Sequence, residues 1–498
     1  MKASNLLAAV ILVAHGVCYA ANKPPPPLTL YPACPCYLLV GEGNGQTRID
    51  ATVNLDPALR SGSVVRIELI DSVGTTLQTA SVSASAGGIV GTTLQVPVAA
   101  VAKFYINALL LDSNGKQIGK AATDVHVCPP DQARVEIGPD GFLRVAGKPE
   151  FPIGLYSAAH YGQIAKAGFT VTHNYEITTG EAADPINPND ARLKELLDQS
   201  WANGMRMMVE LPRHAVEQAA WTQIRRRIET FRHHPGLLCW DSEERVARGK
   251  APLKNIAELY QLVHSLDPDH PFVLGDSRDL SKNMLKDRRN FFPDTDMDAG
   301  IWWWYPIPLR TNQPLLEPPS WLTATATKKP LWIAIQAYVQ PWEHSRYPTP
   351  AEYRSMAYLS IINGVKGLFF YTGSGERDFH HKPAGLLNQP EHSHWDYVQT
   401  LLHELHEVTP IIMAPTAGVH VALSPSDAPV DFTTREFGGK LYLIAANKSV
   451  NPQTVKFAAP ELAGRHVELL YEPRPAAIEG NALNDTFEPL GVRVYKFE

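Results

Sequence analysis

The chain has 498 residues, with 45 Lys plus Arg, 51 Asp plus Glu and a formal net charge of −6. Its hydrophobic share of 44% excludes a disordered chain, which needs low hydrophobicity and high net charge. The lack of a basic excess argues against a nucleic-acid-binding protein. At roughly 100–200 residues per domain, the length predicts about three domains.

Residues 1–20 predict a secretory signal peptide. Lys2 precedes an apolar stretch from Leu6 to Ala14, and Ala20 ends the segment with a small side chain. The apolar stretch is too short to span a bilayer, which takes about 20 residues. We therefore expect cleavage near Ala20, export to the periplasm or the extracellular space, and a mature chain without an integral membrane segment.

Residues 21–130 predict an N-terminal β-sandwich of the immunoglobulin-like type. Short alternating runs such as VVRIELIDS and KFYINALLL are separated by Gly, Ser, Asn and Asp, as in such sandwiches. In an exported protein, Cys128 is expected to form a disulfide with Cys34 or Cys36, and the sequence leaves the choice open. Cys239 stands inside an apolar run and is expected to be a buried free thiol.

Residues 131–414 predict a TIM barrel, because eight apolar strands alternate with amphipathic helices. The predicted strands are 152–156, 169–176, 206–212, 236–244, 271–276, 299–306, 330–338 and 367–373. About 280 residues suffice for eight strand–helix units. Residues 415–498 return to alternation and predict a C-terminal β-sandwich. The predicted fold class is thus α/β, a (β/α)8 barrel between two all-β domains.

The carboxyl ends of barrel strands are where a TIM barrel places its functional side chains. Here these ends carry acids, amides and aromatic rings: His173, Asn174, Tyr175, Glu176, Glu210, Trp240, Asp241, Glu243, Glu244, Asp276, Trp302, Trp303, Trp304, Tyr305, Gln336, Tyr338, Trp342, Glu343, Tyr371 and Glu376. The sequence has no Gly-rich phosphate loop and no HExxH or GxSxG motif. Aromatic rings suit the apolar faces of sugars, and a pair of carboxyl groups cleaves glycosidic bonds. This composition favours a carbohydrate ligand.

Several stretches resemble a known group of enzymes. HHPGLLCWDSEER (233–245) is similar to the strand-4 motif of clan A glycoside hydrolases, and WWWYPIPLR and KKPLWIAIQAY are similar to their strand-6 and strand-7 ends. The resemblance covers residues 131–498 and implies a distant TIM-barrel glycosidase with flanking β-sandwich domains. It implies hydrolysis of O-glycosidic bonds in an oligo- or polysaccharide, without a cofactor.

The resemblance places the catalytic acid/base at the end of strand 4. Glu244 is the best match, and Glu243 stands beside it. Two adjacent carboxylates can raise the pKa of one of them, which suits a general acid. Because neighbours on a strand face opposite ways, only one of the two is expected to face the site unless the strand has ended.

The resemblance places the nucleophile at the end of strand 7, where this chain has Gln336. A glutamine cannot act as a carboxylate nucleophile, so three interpretations stay open. Glu343, Asp276 or Glu210 supplies the second carboxylate, or the substrate supplies its own nucleophile and Gln336 positions it. In the third interpretation, the barrel binds carbohydrate without hydrolysing it.

The remaining rim residues are predicted to bind the substrate. They are Asn174, Tyr175, Glu210, Trp303, Trp304, Tyr305, Gln336, Tyr338 and Tyr371. Glu210 is expected either to line the site or to pair with Arg213. His380 and His381 are adjacent and no third ligand is evident, so no metal site is predicted. The predicted partner is a carbohydrate, with a non-catalytic carbohydrate-binding protein as the alternative.

Overall fold

The computed structural model describes residues 25–84, 88–132, 134–178, 189–243, 250–276, 297–309, 315–318, 329–378, 380–388 and 393–498. The predicted signal peptide lies outside these ranges. Within them, every helix is too short or too polar to traverse a lipid bilayer.

The N-terminal domain consists of two β-sheets that share an apolar core. Its elements are β1 (Leu28–Leu30), β2 (Tyr37–Leu39), β3 (Gln46–Val53), α1 (Pro57–Arg60), β4 (Val64–Ile70), β5 (Thr76–Ser83), β6 (Ile89–Gln95), β7 (Ala102–Leu111) and β8 (Gln117–Cys128). The sheet orders are β1-β3-β6 and β2-β8-β7-β4-β5. Alternate residues of β4 (Val65, Ile67 and Leu69) are fully buried, because successive side chains of a strand point to opposite faces.

The predicted disulfide of this domain is wrong, since Cys34, Cys36 and Cys128 are free thiols. In the parallel β2–β8 pair, Leu39 stands opposite Cys128. Cys36 lies three residues before Leu39, which is about 10 Å along an extended chain. A disulfide needs Cα atoms within about 7 Å, so this register keeps the two sulfur atoms apart.

The buried thiols have other partners. The Cys36 thiol donates a hydrogen bond to the carbonyl of Thr230 at 3.1 Å, and the Cys128 thiol donates to the carbonyl of Leu38 at 3.4 Å. Because Thr230 belongs to a barrel helix, the Cys36 bond joins the N-terminal domain to the barrel. Cys239 is buried and free, as the sequence predicted.

A small antiparallel sheet leads into the barrel. It contains β9 (Val135–Ile137), β10 (Leu143–Val145) and β11 (Lys148–Glu150), in the order β11-β10-β9. Val135, Leu143 and Val145 are buried against residues of the barrel interior. The amide of Val135 also donates to the carbonyl of Asp269, just before a barrel strand begins, so this sheet covers the amino end of the barrel.

Eight parallel strands close into a barrel, in which the first strand pairs with the last. The strands are β12 (Ile153–Leu155), β13 (Val171–His173), β14 (Arg206–Glu210), β15 (Leu237–Glu243), β16 (Phe272–Asp276), β17 (Ala299–Trp304), β18 (Leu331–Gln336) and β19 (Gly367–Tyr371). The helices described around them are α2 (Tyr161–Ala167), α3 (Asp190–Ala202), α4 (Arg213–Gln218), α5 (Trp221–Phe231), α6 (Leu253–Leu266), α7 (Pro350–Ile362) and α8 (Ser393–Met413). Every strand lies within its predicted range, and the predicted fold class is confirmed.

The β15 side chains point alternately into the barrel and towards the helices, and this alternation decides which of them reach the site. Cys239 belongs to the apolar cluster of the barrel interior, whereas Trp240 packs on the helix-facing side and donates its indole N–H to Asp267 at 2.7 Å. Strand alternation then points Asp241 and Glu243 inward, on the same face as Cys239.

The C-terminal domain has two four-stranded sheets, ordered β20-β23-β26-β25 and β21-β22-β27-β24. Its strands are β20 (Ala422–Ser424), β21 (Val430–Phe437), β22 (Lys440–Asn447), β23 (Gln453–Ala458), β24 (Val467–Leu470), β25 (Ile478–Glu479), β26 (Ala482–Phe487) and β27 (Val492–Phe497). Arg354 of α7 donates to the carbonyl of Val492 and pairs with Glu404 of α8. The domain therefore docks on the last two helices of the barrel.

Candidate functional site

Three carboxylates crowd together at the carboxyl ends of two neighbouring barrel strands. Glu210 ends β14 and Glu243 ends β15, and Asp241 stands opposite Glu210 in the β14–β15 register. Neighbouring strands are about 4.8 Å apart, so these like-charged groups are close. The exposed fractions are 0% for Glu210 and Asp241 and 3% for Glu243. We call these three residues the carboxylate cluster.

Arg213, the first residue of α4, bridges two members of the cluster. Its guanidinium makes two bonds to the Glu210 carboxylate, at 2.6 and 2.8 Å, and lies 3.4 Å from Oε2 of Glu243. Burial lowers the pKa of Arg213, but the negative charges of Glu210 and Glu243 outweigh it and raise that pKa overall. Of the two roles predicted for Glu210, the pairing with Arg213 is what the structure shows.

Asp241 has a different environment. Neither of its carboxylate oxygens has a hydrogen-bond partner among the described residues. Burial, followed by the charges of Glu243 and Glu210, raises the pKa of Asp241 well above its ordinary value, and the Arg213 charge and the Ser242 amide offset this only in part. The sequence predicts Asp241 at the rim of the barrel and assigns it no role.

His173 ends β13 and faces the same cluster. Its Nε2 lies 3.8 Å from Oε1 of Glu243, and neither ring nitrogen has a hydrogen-bond partner within the described ranges. Burial and the charge of Arg213 lower the pKa of His173, so the imidazole is neutral. One donor atom each from His173, Asp241 and Glu243 lie within 4.8 Å of one another.

Aromatic rings surround the cluster, and we call them the aromatic wall: Tyr156, Tyr175, Trp303, Tyr305, Tyr338 and Tyr371. The Tyr175 hydroxyl donates to Oε2 of Glu243 at 3.1 Å. The rings of Tyr305, Tyr338 and Tyr371 lie 5.3–5.4 Å from one another, centroid to centroid. Because Tyr175, Tyr305 and Tyr371 are half-buried, they have surface left for a ligand.

Tyr371 also connects the wall to a further acid. Its hydroxyl donates to Oε1 of Glu376 at 2.5 Å. Burial and the charge of Glu376 raise the pKa of Tyr371, so the proton stays on the phenol. Glu376 itself is half-buried.

Gln336 is fully buried and its side chain is committed to the protein. Its Oε1 accepts from the amide of Ile307 at 2.9 Å and from Nε2 of Gln340 at 3.4 Å. Its Nε2 donates to the carbonyls of Ile307 and Tyr338, at 3.0 and 3.2 Å. An amide side chain has two donor and two acceptor positions, and Gln336 uses all four internally.

Two other predicted substrate contacts serve the fold in this structure. The side chain of Asn174 accepts from the amide of Glu176 at 2.8 Å and donates to the carbonyl of Ala158 at 3.2 Å. Trp304 packs in the helix-facing core, whereas Trp303 belongs to the interior cluster. The structure therefore brings Trp303 to the aromatic wall and leaves Trp304 outside it.

Of the four acids predicted to be catalytic, the structure places Glu243 in the carboxylate cluster and Glu343 outside it. Glu343 has a side chain 72% exposed and lies 3.9 Å from His344, outside the carboxylate cluster. Glu244 lies outside the described residues, as does the side chain of Asp276, so their roles stay predictions. Glu243 is brought into the cluster. The sequence predicts the pairing of Arg213 with Glu210 but gives no signal for the second contact of Arg213, to Glu243.

Compared by sequence, the chain matches no protein-family model, and no curated protein matches it. Compared by structure, it is similar to an α-amylase from Geobacillus thermoleovorans complexed with acarbose, at TM-score 0.50 and 10% identity over 70% of this chain and 98% of that one. An Anoxybacillus α-amylase has TM-score 0.47 and 12% identity over 67% and 88% of the two chains. A Bifidobacterium dentium β-glucuronidase has TM-score 0.41 and 14% identity over 76% and 67%. The chain thus shares the TIM-barrel fold of glycoside hydrolases, as the resemblance implied.

Proposed function

We propose that the protein is an exported glycoside hydrolase that cleaves O-glycosidic bonds of an oligo- or polysaccharide. The observation that carries the proposal is the carboxylate cluster beside an aromatic wall at the carboxyl end of the barrel, the end at which such barrels hold their active sites. Half-buried tyrosines suit the apolar face of a sugar ring, and acidic side chains suit its hydroxyls.

The acid in this proposal is Glu244. Glu243 is enclosed, with its outer oxygen beside Tyr175 and Arg213 and a side chain only 4% exposed. Glu243 therefore shapes the cluster, and Glu244, the next residue of the chain, protonates the leaving oxygen. This assignment follows the resemblance at strand 4.

The second carboxyl group in this proposal is Glu376. Tyr371, which donates to Glu376, pairs in register with Gln336, so the Tyr371–Glu376 pair stands beside the strand-7 position that lacks an acid. Glu210 is held by Arg213 and fully buried, and Glu343 is outside the cluster. Among the described acids at the mouth, Glu376 combines partial exposure with a fixed position.

The test is hydrolysis by the mature protein across a panel of polysaccharides and oligosaccharides, read as new reducing ends. We expect the wild type to cleave at least one member, and Glu244→Gln and Glu376→Gln each to lose about 10²-fold or more in rate, as loss of a general acid or base does. Glu468→Gln in β24, where the carboxylate is half exposed, is the matched control and should cleave normally. Full activity in Glu244→Gln would reject its role as the acid.

One observation favours a second candidate, a carbohydrate-binding protein without hydrolytic activity. Gln336 occupies the expected nucleophile position and its hydrogen-bonding capacity is used within the protein. Calorimetric binding of an oligosaccharide that stays intact after long incubation would support this candidate over the hydrolase.

Export is tested by locating the protein and sequencing its amino terminus. We expect the periplasmic or secreted form to begin at Ala21, after cleavage next to Ala20. A cell-associated protein that retains residue 1 would contradict export with cleavage.

A further inference from the structure

Two residues at the floor of the barrel mouth have four buried polar atoms without a hydrogen-bond partner in the described part of the chain. They are Nδ1 and Nε2 of His173 and both carboxylate oxygens of Asp241. Both residues are 0% exposed. Buried polar groups in native proteins are nearly always paired, and an unpaired group calls for an explanation, of which a bound water or ion is one.

The neighbouring charges of Glu210 and Glu243 make a third carboxylate, that of Asp241, unfavourable in its ionised form. Glu210 stands opposite Asp241 on the next strand, and Glu243 is two residues further along β15 on the same face. The guanidinium of Arg213 is engaged with the other two acids, and the described residues provide no ion pair for Asp241. Positive charge is therefore needed beside Asp241, as a proton or as a cation.

The geometry places ligand atoms of three residues around one point. His173 Nε2 is 3.8 Å from Oε1 of Glu243, and one donor atom from each of His173, Asp241 and Glu243 lies within 4.8 Å of the others. All three side chains project from barrel strands, so their Cα positions are held by the ladder of strand hydrogen bonds. Ligands of a single zinc ion are about 3–3.5 Å apart, so small side-chain rotations suffice.

We propose that His173, Asp241 and Glu243 bind one divalent cation of the zinc type. One imidazole and two carboxylates are ligands that Zn²⁺ accepts, whereas Mg²⁺ and Ca²⁺ prefer shells made of oxygen alone. Three protein ligands leave a further position open to water or a substrate hydroxyl. The inference does not rest on the proposed hydrolase activity.

The test uses the mature protein, stripped with a chelator, dialysed and titrated with Zn²⁺ by calorimetry. We expect one Zn²⁺ per chain, with Mg²⁺ and Ca²⁺ binding at least tenfold more weakly. His173→Gln and Asp241→Asn should each weaken Zn²⁺ binding by tenfold or more. Glu376→Gln removes a carboxylate at the same mouth but outside the three ligands, so it should bind Zn²⁺ as the wild type does.

A spectroscopic measurement on the wild-type protein does not depend on whether any variant folds. X-ray absorption of the zinc-loaded protein should show nitrogen and oxygen neighbours at about 2.0–2.2 Å, with one imidazole and no sulfur. Two outcomes overturn the proposal: no saturable binding of Zn²⁺ to the wild type, or binding that survives both substitutions. In either case, water and a proton on Asp241 satisfy the buried atoms. Hydrolysis is assayed separately on the chelator-stripped and the zinc-loaded protein. The hydrolase proposal is thereby tested independently of whether zinc binds.

Discussion

The side chain of Gln336 forms hydrogen bonds with both main-chain groups of Ile307, accepting from its amide at 2.9 Å and donating to its carbonyl at 3.0 Å. Gln336 ends β18, and Ile307 follows the end of β17. These bonds fix the loop after the sixth barrel strand to the end of the seventh. At the position where clan A glycosidases are expected to have a nucleophile, this chain has a structural amide.

We predict that Gln336→Glu destabilises the protein and does not add hydrolytic activity. A carboxylate cannot donate to the carbonyls of Ile307 and Tyr338, and its charge would be buried against them. We expect a loss of about 1–3 kcal/mol in the free energy of unfolding, measured with urea. Gln199→Glu on the exposed face of α3 is the matched control and should be near neutral. Equal stability of Gln336→Glu and wild type would contradict the structural role.

We predict that Arg213→Met is strongly destabilising. It leaves the buried carboxylates of Glu210 and Glu243 without the guanidinium that bridges them, and breaking one partner of a buried pair costs about 3–5 kcal/mol. Arg213→Lys keeps the charge but loses the two parallel hydrogen bonds to Glu210. Its stability should therefore lie between that of the wild type and that of Arg213→Met. Chemical unfolding of the three proteins measures the order. A loss below about 1 kcal/mol in Arg213→Met would mean that the pair behaves like an exposed one.

The barrel could be predicted from the sequence because buried parallel strands have a plain signature. Runs such as PLWIAIQAY are continuously apolar, and helices with three- and four-residue periodicity separate them. Eight repeats of that pattern leave few alternative folds. The carboxylate-rich rim followed from the fold, since residues at strand ends gather at one mouth.

The contacts among the site residues could not be predicted from the sequence. They depend on the register between neighbouring strands and on the side of the strand to which each side chain points. Trp303 and Trp304 are the same residue type, and only the closed barrel shows that the first points inward and the second outward. Export predicted a disulfide between Cys128 and either Cys34 or Cys36, but all three are free thiols, and the β2–β8 register sets Cys36 and Cys128 apart. Likewise, the convergence of His173 with Asp241 joins strands that are 68 residues apart along the chain.

Gly275 provides a test of how tightly the mouth is packed. It stands opposite Glu243 in the β15–β16 register, and a Cβ placed there would lie 3.0 Å from Cγ of Glu243 and 3.0 Å from a ring carbon of Trp303. Both side chains would have to move, so Gly275→Ala should cost about 1–3 kcal/mol and weaken Zn²⁺ binding. Gly418→Ala, where a Cβ would meet nothing within 4 Å, is the control and should change stability by less than about 0.5 kcal/mol. Thermal unfolding and the zinc titration measure the two effects, and a Gly275→Ala variant that matches the wild type in both would show that the mouth has spare room.

Two buried histidines predict that the protein loses stability in mild acid. His234 is 0% exposed, lies 3.1 Å from Asp198 through Nε2 and accepts from the amide of Gly236 through Nδ1. Burial lowers the pKa of His234 to about 4, and it lowers that of His233 to about 4 as well, from an ordinary value of 6.5. Between pH 4 and pH 6.5, these histidines bind protons in the unfolded chain but not in the folded chain. The free energy of unfolding therefore falls as the pH falls from about 6.5 to 4.

His234→Asn isolates this contribution, because the asparagine oxygen can accept from Gly236 but does not titrate. We expect the wild type to lose up to about 3 kcal/mol more than the variant between pH 7 and pH 4, measured by urea unfolding at both pH values. Subtracting the variant removes the contributions of other groups, including Asp241, whose raised pKa acts in the opposite direction. In the wild type, the hydrogen bond to His234 and the charge of Lys194 hold the pKa of Asp198 below its ordinary value of 3.8, and the variant keeps the Lys194 contribution. Parallel pH profiles for the two proteins would show that His234 is protonated in the folded state.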